Sequence, residues 1–293
     1  QQRREALGLD GNTFDRLVDK LFYTEYPNLL KGGPNGGRQA LSDAPEDEPL
    51  RIRWDNIALS FLDKLEGNFT RQSLAGVGSY GENDRSRWQS EVNQANVSTD
   101  ALYDLVDAKF LALFKDQADV DFLNDPIGQL YYAIAENQTA EITNGVRKES
   151  VSFDTNTFSQ DLDGRLNPGE GRIYTLDLTS GQLLRMNVNA PDDSTLLSVY
   201  LPDAAEDDTA IISDSEQTTW SGSVDYTGYY EVVVVNRSAE SIGYQLALAV
   251  DNVSIEAPVA PERENLPPIP EDEAEETAEE ESSDSNDEGD DGA

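Results

Sequence analysis

Tyr174-Thr175-Leu176-Asp177-Leu178, then Thr179-Ser180-Gly181, then Leu184-Arg185-Met186-Asn187-Val188-Asn189: apolar and polar residues alternate on both sides of a turn. A period of two puts one side of each run on a core and the other in water. The same period returns at Leu197, Val199 and Leu201, at Trp220 and Val224, at Tyr230, Val232 and Val234, and at Tyr244, Leu246, Leu248 and Val250. Seven or eight such runs, each about ten residues after the last, predict an antiparallel β-sandwich. Val151 and Phe153 mark its first strand, and the pattern ends near Val253.

Upstream the period is 3.6. Phe14, Leu17, Val18, Leu21 and Phe22 lie on one helical face, with Thr13 as the expected cap. A second helix is expected over Leu50 to Leu65 and a third around Trp88 and Val92. Ser98 caps a fourth, which carries Leu102, Leu105, Val106 and Phe110. Asp125-Pro126 opens a fifth, through Leu130 and Ile134. The period changes near Gly145. The chain therefore reads as an α+β multidomain protein: a charged lead-in over 1–10, an α-helical domain over 11–144, an antiparallel jelly-roll-like sandwich over 145–255 and an acidic tail over 256–293. The tail is Pro-rich, then almost purely Glu, Asp, Ser and Ala. It cannot bury enough apolar surface to offset the entropy of ordering, so disorder is expected there.

Composition excludes several functions. Asp plus Glu number 58 and Lys plus Arg 21, a formal charge of −37. Such a chain repels nucleic acid, whose phosphates carry the same sign. With no Cys and no His there is no disulfide, thiolate nucleophile, Cys/His metal site or Ser-His-Asp triad. No apolar run reaches the roughly 18–20 residues that span a bilayer, so this chain is not expected to insert in a membrane. It opens Gln-Gln-Arg-Arg without an initiator Met, which suggests a piece of a longer protein.

In order along the β region come Gly164-Arg165-Leu166, Pro168-Gly169, Gly181-Gln182, Leu197-Ser198-Val199-Tyr200-Leu201, Trp220-Ser221-Gly222, Gly228-Tyr229-Tyr230 and Tyr244-Gln245-Leu246. The ordered set resembles the bacterial pre-peptidase C-terminal domain, a jelly-roll-like sandwich. Arg185-Met186-Asn187-Val188, Gln217-Thr218-Thr219-Trp220, Leu102-Tyr103-Asp104-Leu105 and Pro126-Ile127-Gly128-Gln129 are similar to the C-terminal regions of cyanobacterial serine/threonine protein kinases. That resemblance implies a kinase domain and a membrane anchor upstream. No kinase motif stands in this chain: there is no Gly-rich loop, no Val-Ala-Ile-Lys, no His-Arg-Asp and no Asp-Phe-Gly.

Asp161 and Asp163, with Asp192 and Asp193, are candidate oxygen donors for Ca²⁺, which takes six to eight such ligands. Asp161-Leu162-Asp163-Gly164 lacks the later ligands of an EF-hand loop, and Asp-Gly is also ordinary turn chemistry. Tyr200 and Tyr229 are candidate platforms for a sugar or a peptide, while Trp220 and Tyr230 are expected in the core. No cofactor other than Ca²⁺ is expected. The resulting expectation is a non-catalytic sensor or scaffold region, extracytoplasmic or periplasmic, that binds a protein or a carbohydrate. Two other readings stay open: the accessory C-terminal region of a secreted hydrolase, and a small acid/base enzyme built on carboxylates.

Overall fold

The computed structural model describes residues 1–31, 41–117, 122–153, 157–202 and 210–252. The acidic tail predicted over 256–293 lies outside them. Seven α-helices come first: α1 (Gln2–Leu7), α2 (Gly11–Glu25), α3 (Glu48–Asn68), α4 (Arg71–Ala75), α5 (Glu82–Gln94), α6 (Thr99–Phe114) and α7 (Gly128–Thr143). Nine strands follow: β1 (Lys148–Val151), β2 (Ser159–Leu166), β3 (Gly171–Leu178), β4 (Gln182–Asn189), β5 (Thr195–Tyr200), β6 (Ala210–Ser215), β7 (Thr219–Ser223), β8 (Gly228–Asn236) and β9 (Ile242–Asn252). These are the helices and strands of the described residues alone.

The charged lead-in is a helix. Arg3 on α1 reaches Asp63 at 2.5 Å and Glu66 at 2.8 Å, and Leu7 and Leu9 are buried. Two expected caps move. Asp10, not Thr13, caps α2: its carboxylate accepts from the N–H groups of Asn12 and Thr13, which places Thr13 inside the first turn. Asp125 does not cap α7, because its carboxylate is taken by Lys20 of α2; α7 starts later, without a side-chain cap. Ser98 caps α6 as expected, accepting from Ala101 N–H at 3.1 Å.

The strands form two sheets in the orders β1-β3-β8-β5-β6 and β2-β9-β4-β7. All the pairings are antiparallel except β1 with β3, so the expected sandwich is present. Its inner layer packs Leu176, Val199, Val232 and Val234 against Leu184, Leu246 and Leu248. Tyr174 on β3 and Tyr244 on β9 join the sheets through a hydroxyl–hydroxyl bond of 2.6 Å. Tyr230 is fully buried and Trp220 packs at the core's edge.

One part of the periodicity reading is corrected. Thr175 was expected to face water, yet it is buried. So are Ile173, Val233 and Val235, which pack with the helices rather than with the other sheet. The helical core therefore continues onto the outer face of the five-stranded sheet, and residues 1–253 form one compact unit. A strand covered on both faces loses its alternation and becomes an apolar run. Val232-Val233-Val234-Val235 is that run. Close approach is enforced at Gly169, where φ is +67° and a Cβ would lie 2.5 Å from the Cβ of Ala112 and 2.7 Å from the carbonyl of Ala108 on α6.

Candidate functional site

The seam between α6 and the five-stranded sheet concentrates the buried polar groups. At its head the α5–α6 turn meets the start of β8. Asn96 sits there at φ +55°, a left-handed conformation that Asn tolerates better than most residues. The next turn of chain delivers Ser98, whose hydroxyl accepts from Ala101 N–H and donates to Glu231 Oε2 at 2.7 Å. The Ser98 backbone N–H donates to Glu231 Oε1, also at 2.7 Å. Glu231 is only 2 % exposed. Its carboxylate thus faces a helix N-terminus, where unpaired N–H groups and the helix dipole favour negative charge. Lys148, whose ammonium donates to the Ala95 carbonyl, adds a positive charge nearby; burial pushes its pKa down and Glu231 pulls it back up.

Above Glu231 lies a cleft of about 280 Å³. Asn93, Asn96 and Val97 form one wall, and Pro202, Thr227 and Tyr229 the other. Gly228 stands between them at φ +149°; a Cβ there would come within 2.8 Å of the Pro202 ring. Tyr229 is 43 % exposed, so its ring is available at the rim. The cleft therefore offers an aromatic face, two amides and a hydroxyl, above a carboxylate that Ser98 already occupies. That set suits a hydroxyl-rich ligand better than proton-transfer chemistry, because Glu231 is already committed to Ser98.

Tyr200, the other predicted platform, is not at the surface. It is buried, and its hydroxyl donates to Asp104 Oδ2 on α6 at 2.8 Å. A ligand cannot reach its ring; the residue ties helix to sheet. Burial pushes the Asp104 carboxyl up to about 7, against hydrogen bonds from Ser198 and Tyr200 that lower it. Asp214 and Asp107 add a smaller upward push.

The four predicted Ca²⁺ donors fall in two pairs on two different elements. Asp161 and Asp163 are exposed on β2, and Asp163 accepts from Gln245 at 3.1 Å. Asp192 and Asp193 are exposed in the β4–β5 turn, where the Asp193 carbonyl accepts from Arg237 at 2.9 Å. Among the described residues no group of three or more Asp, Glu, His or Cys is placed to hold a metal ion. Among the same residues no helix is long and apolar enough to cross a membrane.

Sequence reading missed Glu231. The signal was present: one acid inside Tyr230-Glu231-Val232-Val233 is a charge in an apolar strand, and a buried charge needs partners.

No family model matches this chain. A curated relative, the serine/threonine-protein kinase-like protein E of Synechocystis, is 28 % identical over 258 residues, covering 85 % of this chain. The chain spans 40 % of that relative's own length. Of solved structures, PliG of Aeromonas hydrophila, a periplasmic inhibitor of g-type lysozyme, matches 36 % of this chain and 96 % of its own, at 22 % identity and a TM-score of 0.32. The pre-peptidase C-terminal domain of Bacillus anthracis collagenase matches 34 % of this chain and 93 % of its own, at 12 % identity and a TM-score of 0.28.

Proposed function

We propose that this chain is a non-catalytic recognition region that binds a carbohydrate in the cleft between Asn96 and Tyr229, as the extracytoplasmic part of a serine/threonine kinase-like protein. The observation that carries the binding role is the cleft itself, with an exposed tyrosine ring above a buried, fully engaged carboxylate. Sugars place one apolar face on an aromatic ring and their hydroxyls on amides and side-chain hydroxyls, here those of Asn93, Asn96 and Thr227. The link to a kinase-like protein rests on the Synechocystis relative. An alignment of 258 residues is longer than either half of this chain, so it runs across helices and sandwich together. In this reading the catalytic domain and the membrane anchor lie upstream of Gln1, and the acidic body disfavours anionic polymers as ligands.

The test is a glycan array followed by calorimetric titration with the best oligosaccharide. Parent protein should bind and Tyr229→Ala should lose about tenfold or more in affinity, the loss of one stacking contact and its area. No binding across the array, or binding indifferent to Tyr229→Ala, would overturn the ligand assignment. Protease treatment of intact cells carrying the full-length protein should remove this region; protection would place it in the cytoplasm. A hydrolase domain, rather than a kinase domain, upstream of Gln1 in the reading frame would favour the accessory-region reading instead.

A further inference from the structure

At the far end of α6 is a second pocket, about 260 Å³, built from different parts of the fold. The last turn of α3 supplies Glu66, the α3–α4 turn Phe69, α6 Lys109, α7 Ile134, Gln138 and Glu141, and the segments before β1 and β3 supply Arg147 and Glu170. It is smaller than the roughly 300–1,000 Å³ pockets that hold drug-sized molecules, so its occupant is a small one.

Two of its groups lack partners. Gln138 is 7 % exposed and lines the pocket, yet its amide makes no hydrogen bond with any described residue. Lys109 is half-buried and its ammonium makes no hydrogen bond or ion pair within the described residues. Neither polar end is sealed off within the described residues, so both open into the pocket, where a ligand can take up donors that the fold leaves unused. Burial pushes the Lys109 pKa down, while Glu170 opposes that shift. The neighbouring charges are differently placed. Arg147 already holds Glu141 at 2.6 Å and Glu170 at 2.8 Å, and Arg3 holds Glu66 at 2.8 Å. Each carboxylate still has lone pairs to offer, since a carboxylate accepts at about four positions.

We propose that this pocket binds a free α-amino acid, with its carboxylate on Lys109 and Gln138, its ammonium on the Glu141 and Glu66 carboxylates, and its side chain against Phe69 and Ile134. The mixed walls select for a molecule carrying both charges. A simple anion would face three carboxylates, and a simple cation would face Lys109 and Arg147. The site is separate from the Tyr229 cleft, so it does not depend on the carbohydrate reading.

The test titrates the parent protein with each of the twenty L-amino acids. Thermal unfolding and ¹H–¹⁵N spectra follow binding, and propionate and propylamine serve as singly charged controls. At least one amino acid should raise the melting temperature and shift the side-chain amide of Gln138. Lys109→Met and Gln138→Leu should each weaken that amino acid by about tenfold, while Tyr229→Ala should leave its affinity unchanged. Should Lys109→Met unfold, Gln138→Leu and the shift map on the parent decide alone. The proposal fails if no amino acid binds, which would make this a water-filled cavity. It fails also if propionate or propylamine binds as well as the zwitterion, or if the shifts map away from Gln138.

Discussion

Two acids are buried along the same seam, and they are treated differently. Glu231 rises from β8 to the N-terminus of α6, where a backbone N–H and a hydroxyl from Ser98 meet its two oxygens. Asp104 sits further along α6, where the backbone N–H groups are consumed by the helix itself. It finds Tyr200 and Ser198 instead, and burial dominates, pushing its carboxyl up to about 7. The residue types are alike and the sheet is the same. What differs is position along the helix, which decides how many donors a buried carboxyl can find.

Glu231→Leu should have the largest effect. It orphans the Ser98 N–H and hydroxyl and removes the negative charge near Lys148. Breaking one side of a buried charged contact costs about 3–5 kcal/mol. Melting should fall by about 10 °C, at roughly 2–4 °C per kcal/mol for a unit of this size. A loss under about 2 °C would mean the seam is wet rather than packed.

Ser98→Ala should come next, at about 2 kcal/mol. The cap of α6 contributes about 1 kcal/mol and the hydroxyl bond to Glu231 a similar amount. The Ser98 N–H remains, so Glu231 keeps one donor. Denaturant titration of the single and double variants at 98 and 231 checks this: the two losses should be strongly non-additive, because the groups touch.

Asp104→Asn should go the other way, and only at high pH. The folded Asp104 pKa, about 7, lies above its ordinary value of 3.8. Below about pH 4 the acid is protonated in both states and makes no pH-dependent difference. Between there and about 7 the unfolded chain releases the proton while the folded chain keeps it, so stability falls through that window and then levels off. Asn cannot ionise and escapes the fall. The variant should match the parent near pH 4 and exceed it by about 1–2 kcal/mol at pH 8, since even part of such a shift has that size. An equal difference at both pH values would show that Asp104 does not titrate abnormally.

The same contrast sets what was legible in the sequence. The sandwich was legible because Leu184-Arg185-Met186-Asn187-Val188 records one dry face and one wet one. The helices were legible through 3.6-residue spacing, and the Ser98 cap through its residue type. The seam was not read, because Val232-Val233-Val234-Val235 satisfies a two-fold pattern and hides a second buried face within it. Tyr200 was ambiguous for the same reason: alternation assigns a residue to a face but not what covers that face. Asp10 and Asp125 were decided by competition among neighbours, Asp125 through Lys20, a residue 105 positions away. The unpaired Lys109 and Gln138 carry no sequence signal at all, since only the fold brings α6 and α7 to one pocket.

Tyr229→Ala should have the smallest effect on stability, and that smallness sharpens the comparison. Glu231 and Tyr229 lie two residues apart on β8, so their side chains follow the same side of the strand. One is buried at the foot of the cleft and the other stands at its rim. Surface substitutions away from buried networks stay within about 0.5 kcal/mol, so melting should move by no more than about 2 °C. Tyr229 reports no hydrogen bond that holds the strand, and the register of β8 against β3 is set by the backbone pairing of Tyr229 with Asp177. A stable variant that no longer binds oligosaccharide would separate the rim, which serves recognition, from the floor, which holds the helix to the sheet. A variant as destabilised as Glu231→Leu would instead make the whole cleft part of the seam, and leave the exposed ring without a role in binding.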